Sequence, residues 1–238
     1  MLILVEIMIT ILAYFMGNVS PATILANQAG FNIKKAGSGN AGATNVLRTM
    51  GPKPAIITLA VDVLKGLIAT RLAFNLMINV INSPSITGGG LYVEHIYLVS
   101  AWSALAVFLG HVWPVLLDFK GGKGVATAFG VIIATNWRMA VLTLFVFVLV
   151  VSISKMVSLG SIMAALSFLV AYLKYGFKIA RSISVAGAST DYYLRDAVPR
   201  FWLRILPYIV IVVILIFKHR SNISRILKGE ENTINLDF

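Results

Sequence analysis

Long apolar stretches, separated by short polar ones, dominate the chain. The apolar runs lie near residues 2–26, 54–78, 96–117, 124–135, 139–154, 157–173 and 202–217. Several of them reach the ~20 residues that a helix needs to cross ~30 Å of hydrocarbon. We therefore predict an all-α, polytopic membrane protein with about seven transmembrane helices, in which residues 1–238 form a single domain.

The composition supports a membrane protein. Hydrophobic residues make up 58% of the chain and charged residues 12%, which is about half the charged fraction of a typical soluble domain. The first apolar run has neither a basic n-region nor a small-residue cleavage site, so we expect a membrane helix and no removed signal peptide. Because the chain has no cysteine, disulfides, thiolate metal sites and cysteine nucleophiles are excluded. The histidines are too scattered to predict a metal centre.

The basic residues predict how the chain is oriented in the membrane. The net charge of +11 is expected to face anionic lipid, and nucleic-acid binding is not expected because the cations form no long tract interleaved with aromatics. The basic segments at 34–53, 120–123 and 218–228 are expected inside, and residues 79–95, which lack Lys and Arg, outside. Residues 174–200, which we expect to form a loop, are basic yet fall outside in this scheme, so their topology stays open.

Three polar segments lie where apolar runs end, on the predicted cytoplasmic face. They are GSGNAGATNVLR (37–48, motif 1), GHVWPVLLDFKGGKGVAT (110–127, motif 2) and HRSNISRILKGEE (219–231, motif 3). Each combines glycine or hydroxyl groups with fixed cations. Glycines let backbone N–H groups surround an anion, while Lys and Arg supply the compensating charge. The pattern predicts binding of phosphorylated substrates at a membrane surface.

Motif 1 begins with a formal match to the dinucleotide-binding pattern G-x-G-x-x-G, at residues 37–42. That pattern has meaning only between a strand and a helix, and here it lies between two apolar runs, so we reject it. Residues 42–50 are expected to form a short helix whose N-terminal N–H groups attract an anion near Arg48. The alternative is a glycine turn with a solvated arginine and no ligand.

Motif 2 contains Phe-Lys-Gly-Gly-Lys-Gly at residues 119–124, which is not a P-loop. The glycine four residues before the Gly-Lys pair is missing, and Gly124 stands where Ser or Thr would hold Mg²⁺. A nucleotide triphosphatase is therefore not expected. We predict a glycine-rich anion site with Lys123 as the point charge, and the alternative is a flexible basic turn. His111 upstream is more typical of a structural hydrogen-bonding group.

Motif 3 and the second apolar run each carry polar groups that face protein. His219 and Asn222 are three residues apart on the apolar edge of the predicted helix, which indicates a role inside a site. A basic amphipathic tail on anionic lipid is the alternative.

Asp62 and Lys65 share one helix face within the second apolar run and are expected to pair. There are two interpretations of this pair. It is either a structural ion pair, or Lys65 adds positive electrostatic potential beneath a substrate phosphate.

The motifs, in this order and spacing, resemble the bacterial acyl-phosphate:glycerol-3-phosphate acyltransferases, which are small integral membrane enzymes. The similarity also covers DVLKG at 62–66 and VSLGSI at 157–162, and spans most of the chain. The departures are two insertions, near residues 79–94 and 174–200, and extra residues after Glu231.

The resemblance implies an enzyme that transfers a fatty acyl group from acyl phosphate to the 1-hydroxyl of glycerol 3-phosphate. Lysophosphatidic acid and phosphate are the products, in the first step of phospholipid synthesis, and no cofactor is implied. It also implies a multi-pass protein of the bacterial inner membrane, with its active site facing the cytoplasm. Membrane lipids and an acyl-phosphate-forming enzyme are the implied partners. The His-x-x-x-x-Asp pair of soluble-domain glycerolipid acyltransferases does not occur here.

The resemblance also implies roles for individual residues. Those expected in catalysis are Ser38, Arg48, Lys123, His219 and Asn222. Those expected to bind substrate are Gly37, Gly39, Asn40, Thr44, Asn45, Lys65, Gly121, Gly122, Gly124, Thr127, Arg225 and Glu230, with Glu230 bracing the loops against a motif cation. The general base is either His219 or a substrate phosphate oxygen.

Two other function classes compete with the acyltransferase. A transporter of organic phosphates would use the same cations, but the halves of the chain show no repeat. An intramembrane serine protease would need Ser38 and His219, and Ser38 falls in a loop.

Overall fold

The computed structural model describes residues 2–82, 93–185 and 190–234, and their side chains except at 93–94, 175–185 and 190–201. The described residues form α-helices joined by short turns, with no strand among them. The helices are α1 (Leu2–Gly17), α2 (Pro21–Gln28), α3 (Ala43–Met50), α4 (Pro52–Ile81), α5 (Val93–Val112), α6 (Val125–Thr135), α7 (Trp137–Ser154), α8 (Val157–Val185), α9 (Thr190–Lys218) and α10 (Arg220–Leu227).

The all-α membrane architecture is confirmed, but a count of seven spans is not. Four helical segments in the described ranges are long and apolar enough to cross a membrane: Leu2–Gln28, His95–Leu117, Trp137–Ser154 and Val157–Lys174. A fifth is added if Trp202–Lys218 and α10, bent by 53° from each other, count as one broken span. The run at 124–135 forms the 11-residue helix α6. That helix is about 16 Å long, roughly half the hydrocarbon thickness.

The basic segment expected as a loop at 174–200 is largely helical. Helix α8 continues to Val185 and α9 begins at Thr190, so two long helices account for most of this proposed insertion. The other proposed insertion, near 79–94, falls mainly on residues 83–92, which lie outside the described ranges.

The chain divides into two compact units, residues 1–135 and 136–238. In the first unit, glycines bring helix backbones into direct contact, as small residues do in membrane proteins. A Cβ on Gly110 of α5 would overlap the Tyr14 carbonyl of α1, and a Cβ on Gly130 of α6 would overlap the Val63 carbonyl of α4. Helices α1, α4, α5 and α6 are thereby held in a tight bundle.

A small apolar core anchors the polar segment that follows α2. Its buried residues are Ala22, Ala26, Ile33, Ala41, Val46 and Ala55, with Phe31 and Met50 packed against them. This core fixes the turn at Ile33–Lys35, the following glycine loop and α3 onto the start of α4. Motif 1 is therefore an ordered element at the end of the first unit's bundle.

The second unit contains α7 to α10. Gly160 of α8 packs against Val151 of α7, and Tyr172 of α8 contacts Tyr208 of α9 with ring centroids 4.7 Å apart. The chain bends by 53° between α9 and α10, and His219 lies at this bend as the N-cap of α10.

Candidate active site

Motif 1 forms a tight loop, residues 37–42 (loop A), which is organised by Asn45. Gly37 and Gly39 have φ angles of +57° and +71°, a region that favours glycine. The Asn45 side chain accepts the Ser38 N–H at 2.8 Å and donates to the Ala36 carbonyl at 3.0 Å. Asn45 is 2% exposed, so this predicted binding residue shapes loop A from within.

The other polar side chains of motif 1 face outward. The expected short helix is confirmed as α3, which begins directly after Gly42. Ser38, Thr44 and Arg48 are exposed, and Asn40 is partly buried. Thr44 and Arg48 lie one helical turn apart, which places them on the same side of α3. Loop A and α3 thus present hydroxyl groups and a cation at the surface.

Residues 119–124 of motif 2 form a second glycine loop (loop B), in which the surrounding atoms leave no room for a Cβ on the glycines. A Cβ on Gly121 would overlap the His111 carbonyl, and a Cβ on Gly122 would overlap His111 Nε2. Gly124 combines a φ angle of +83° with close approach to the Phe108 ring. Loop B is therefore a packed turn, which argues against the flexible-turn alternative.

Loop B leads into α6, which starts at Val125. The Ala128 N–H donates to the Gly124 carbonyl at 2.8 Å. Lys123 is partly buried. Thr127 is 0% exposed, and its hydroxyl has no hydrogen-bond partner among the described residues. Thr127 is thus placed behind loop B, inside the bundle.

Loops A and B meet in the first unit. A Cβ on Gly122 would lie 2.9 Å from the Ala41 carbonyl oxygen. Lys34, just before loop A, donates from Nζ to the Leu117 carbonyl of motif 2 at 3.2 Å. The two glycine loops, separated by 76 residues in the sequence, are therefore neighbours, as the prediction of a shared site requires.

A buried polar cluster lies beneath the loops. The predicted ion pair is confirmed, since Lys65 Nζ lies 2.8 Å from Asp62 Oδ1. Lys65 also donates to the Val19 carbonyl at 2.7 Å and contacts His111 Nδ1 at 2.8 Å. The Val19 carbonyl thus accepts a hydrogen bond from the ammonium, and the Asp62 carboxylate supplies the opposite charge. These buried contacts suit the structural ion pair, one of the two interpretations of Asp62 and Lys65, while substrate binding by Lys65 stays a prediction.

In the second unit, His219 and Asn222 of motif 3 face the protein interior, as predicted. They are 2% and 6% exposed. His219 Nδ1 lies 2.8 Å from the Leu215 carbonyl oxygen. Because a carbonyl only accepts, the Nδ1 atom carries a proton. In the neutral ring, Nε2 is then the basic nitrogen.

Glu231 is the centre of the motif 3 contacts. Its Oε1 accepts from Asn222 Nδ2 at 2.7 Å and from Ser158 Oγ at 2.8 Å. Its Oε2 lies 2.8 Å from Arg225 Nε. Burial would raise the pKa of this carboxyl, but the hydrogen bonds from Asn222, Ser158 and Arg225 hold its pKa below the usual value.

The brace assigned to Glu230 is therefore made by Glu231. Glu230 is exposed, and its N–H donates to the Arg225 carbonyl at 2.8 Å. Gly229, with a φ angle of +71°, turns the chain back at the end of α10. Glycine directly after a helix is the usual helix stop, a signal that the sequence contained.

The predicted site residues fall in both units, and within each unit they cluster. The first unit unites loop A, Arg48, loop B and the buried cluster, and the second carries motif 3 with the VSLGSI run. In the described part of the chain, no group of three or more His, Asp or Glu side chains is arranged to hold a metal ion. The sequence predicted a structural hydrogen-bonding role for His111 but not its partners, and it gave no indication of the contacts of Lys34 and Ser158.

Apolar spanning helices and cation-bearing glycine loops together define an integral membrane protein with a site suited to anions. Residues 7–229 match the family model described as glycerol-3-phosphate acyltransferase. A protein of that name from Geobacter sulfurreducens is 37% identical over 227 residues, 95% of this chain and 96% of the relative. Its counterpart in Clostridioides difficile is 34% identical, over 96% and 95% of the two chains. The chain belongs to the glycerol-3-phosphate acyltransferase family.

The fold agrees with solved structures. The chain resembles the crystal structure of PlsY, an integral membrane glycerol 3-phosphate acyltransferase, in its glycerol 3-phosphate form, with a TM-score of 0.73 and 31% identity. That match covers 97% of this chain and 96% of the PlsY chain. The lysophosphatidic acid form of PlsY matches with a TM-score of 0.70.

Proposed function

We propose that this protein transfers a fatty acyl group from acyl phosphate to the 1-hydroxyl of glycerol 3-phosphate. Lysophosphatidic acid and inorganic phosphate are the products. Membership of the glycerol-3-phosphate acyltransferase family supports an acyltransferase, and PlsY has been solved in forms with the proposed acceptor and product. The observation that carries the proposal is the meeting of loops A and B at Ala41 and Gly122.

The chemistry needs no enzyme nucleophile. Acyl phosphate is a mixed anhydride, so the acceptor hydroxyl oxygen attacks the acyl carbonyl carbon directly and forms the ester bond. The bond between that carbon and the bridging oxygen breaks, and phosphate leaves with the electron pair. The protein has to orient the two substrates, compensate the charge of two phosphates and allow the hydroxyl proton to depart.

The residues divide between the two substrates. Ser38, Arg48, His219 and Asn222 are assigned to glycerol 3-phosphate, because hydroxyl, guanidinium and amide groups suit its phosphate and hydroxyls. Loop B, with Lys123 as its cation, is assigned to the donor phosphate and its developing charge.

The acceptor proton has two possible destinations. His219 Nε2 is one, since the Nδ1 hydrogen bond to Leu215 leaves Nε2 as the basic nitrogen of the neutral ring. A substrate phosphate oxygen is the other. A pH profile of kcat for His219→Asn distinguishes them, since loss of the low-pH limb indicates His219.

The remaining predicted residues support these two regions. Gly37, Gly39 and Asn45 set the shape of loop A, while Asn40 and Thr44 stand at its edge. Thr127 lies behind loop B. Arg225 acts with Glu231 to hold α10, and thereby Asn222, in place.

Both units are proposed to serve as one acyltransferase domain in the bacterial inner membrane. The family model runs through both, from residue 7 to residue 229. The positive-inside bias supports a site that faces the cytoplasm. An acyl-phosphate-forming enzyme is the partner that this donor requires.

The donor is tested with the purified protein in detergent. Radiolabelled glycerol 3-phosphate is incubated with acyl phosphate or with acyl-CoA, and labelled lysophosphatidic acid is counted. We expect product with acyl phosphate and background with acyl-CoA. Product from acyl-CoA alone would overturn the assignment of the donor.

A further inference from the structure

Three large apolar side chains are exposed between α5 and the glycines of loop B. Val115, Leu116 and Phe119 are 41%, 69% and 57% exposed. They lie in or directly after residues 113–118 (the apolar turn), which connect α5 to loop B. The segment His95–Leu117, which is long and apolar enough to cross a membrane, ends inside this turn. These side chains therefore lie where a span leaves the hydrocarbon, and the proposed reaction uses none of them.

The apolar turn has lost α-helical hydrogen bonding, and side chains of the first span replace it. Tyr14 of α1 donates from Oη to the Trp113 carbonyl at 2.8 Å and accepts the Val115 N–H at 3.1 Å. Asn18, which is 4% exposed, accepts the Leu116 N–H through Oδ1 at 3.2 Å. Backbone groups left over at the end of α5 are thereby satisfied from within the protein.

Other backbone groups of the turn are satisfied locally. The Pro114 carbonyl accepts the N–H groups of Leu117 at 3.0 Å and of Phe119 at 2.9 Å. The Leu117 carbonyl accepts the Lys120 N–H at 3.1 Å and Lys34 Nζ at 3.2 Å. A loop in water can leave such groups to the solvent, whereas irregular backbone next to hydrocarbon needs partners within the protein. Satisfied backbone combined with exposed apolar side chains is the pattern expected of a segment in contact with lipid.

The backbone of Phe119 supports the same environment. Asp118 and Phe119 have φ angles of +55° and +57°, a left-handed region that bulky residues rarely adopt. In a protein core, burial of the aromatic ring would offset this strain. Phe119 is instead 57% exposed. Contact with the acyl chains of a bilayer would supply the burial that the protein itself does not provide.

Cations flank the apolar side chains. Lys120 directly follows Phe119, and Lys35 directly follows Lys34, whose ammonium is bonded to the turn; Lys35 and Lys120 are exposed. Asp118 is the one carboxylate in the sequence from 113 to 120, so the lysines leave the region positively charged. Lysines beside an apolar segment favour the negatively charged surface of a membrane over the apolar face of another protein.

We propose that the apolar turn and Phe119 form a lipid anchor. Leu116 and Phe119 enter the acyl region of the cytoplasmic leaflet, while Lys35 and Lys120 lie among its anionic headgroups. Loop B continues directly from the anchor and meets loop A at Gly122, so both loops are held at the depth of the headgroups. The anchor does not depend on which substrate phosphate loop B binds. The choice of leaflet rests on the orientation given under the proposed function.

Nitroxide labels on single cysteines measure this depth in a chain without cysteine. Leu116→Cys and Phe119→Cys are labelled in the full chain, in vesicles of phosphatidylethanolamine and phosphatidylglycerol. Power-saturation EPR compares collisions of the label with oxygen, which concentrates in lipid, and with a water-soluble nickel chelate. Ile11→Cys, at a side chain of α1 that is 51% exposed, is the lipid reference. Lys53→Cys, at an exposed residue in the first turn of α4, is the water reference.

We expect the ratio of oxygen to nickel collisions at positions 116 and 119 to lie several-fold above the Lys53→Cys value and close to that of Ile11→Cys. A label at Lys35→Cys should give a value between the two references. A ratio at position 116 or 119 equal to the water reference would overturn the anchor. Rare collisions with both reagents would place the turn against protein and overturn it as well.

The outcome is separable from the proposed function. The depth measurement contains no substrate, so its failure leaves the acyl transfer untouched, and a protein inactive with acyl phosphate leaves the anchor untouched. The side chains replaced at 116 and 119 are exposed, and thermal unfolding of each labelled protein checks that the fold is intact.

Discussion

Single side chains in motifs 1 and 2 either shape the loops or face outward. Asn45 and Gly122 belong to the first kind, since one is hydrogen-bonded inside loop A and the other is packed against His111. Ser38 and Arg48 belong to the second kind. The sequence identified the segment that contains these residues. It did not separate the two kinds, because the burial of Asn45 depends on a core assembled from distant residues.

Arg48→Ala removes the exposed cation of α3. The loss of a charge-assisted hydrogen bond to phosphate, about 1.5–3 kcal/mol, should raise the KM for glycerol 3-phosphate at least about tenfold. Initial rates at varied acceptor and donor concentrations measure the effect. Lys35→Ala, which removes another exposed cation just before loop A, is the control. A change confined to the donor KM would reverse the proposed division of the site.

Gly122→Ala adds one methyl group where His111 Nε2 and the Ala41 carbonyl already lie. We expect kcat/KM for acyl phosphate to fall about tenfold or more, because loop B has to move away from the position that holds the donor phosphate. Gly30→Ala is the control, since a Cβ there meets nothing within 4 Å, although its φ angle of +81° is strained. If Gly122→Ala behaves like this control, loop B is only a connecting turn.

At the scale of elements, α10 is held by a carboxylate that lies beyond its end. Glu231 joins Asn222 and Arg225 of α10 to Ser158 of α8. The Ile234 N–H also donates to the Lys155 carbonyl at 2.9 Å, so the chain after α10 is attached to the turn between α7 and α8. Asn222 is thereby fixed in the second unit by contacts outside its own helix.

This brace predicts how stability depends on pH. The pKa of Glu231 is lowered from its ordinary value of 4.5 in the folded protein. The stabilisation is therefore present above that value and is lost as the pH falls through the folded pKa. Between about pH 6 and pH 3, the Tm of the wild type should fall more steeply than that of Glu231→Gln.

Glu230→Gln is the matched control for this pH dependence, because it changes the neighbouring, exposed carboxylate. Its Tm should follow the wild-type pH profile. Identical profiles for Glu231→Gln and the wild type would show that the carboxylate of Glu231 does not stabilise α10.

The apolar pattern predicted the elements better than their boundaries. Hydrophobic runs became helices because burial in lipid and in the bundle decides helix formation there. The run at 124–135 forms only the 11-residue helix α6, which lies between Gly124 and the N-cap Asn136, and its count as a span is not confirmed. The polar stretch at 174–200 was interpreted as a loop although its backbone is mostly helical, because polarity alone does not end a helix.

At the scale of the molecule, each unit carries part of the proposed site. Motifs 1 and 2 lie in residues 1–135, and motif 3 lies in residues 136–238. The family match from residue 7 to residue 229 means that the sequence pattern extends through both. The order of the motifs was sufficient to predict the family. The contacts among Asp62, Lys65 and His111 required the fold, since α4 and α5 are separated by residues 82–92 in the chain.

Cysteine labelling tests the proposed orientation in this cysteine-free chain. Lys35→Cys and Ser221→Cys mark motifs 1 and 3, and Asn82→Cys marks the far end of α4; these residues are exposed. With a membrane-impermeant maleimide on oriented vesicles, positions 35 and 221 should label from the cytoplasmic face and position 82 from the other. Labelling of positions 35 and 221 from opposite faces would exclude a shared cytoplasmic site.

The central claim is that one event joins the acyl group to glycerol 3-phosphate and releases the donor phosphate. Phosphorus NMR of the purified protein with both substrates follows this directly, since acyl phosphate, lysophosphatidic acid and inorganic phosphate give separate signals. The wild type should form lysophosphatidic acid and phosphate in a one-to-one ratio, and only when both substrates are present. Lys123→Met should slow both products together, because charge on the leaving phosphate is then uncompensated. Release of phosphate from acyl phosphate without lysophosphatidic acid would contradict the account.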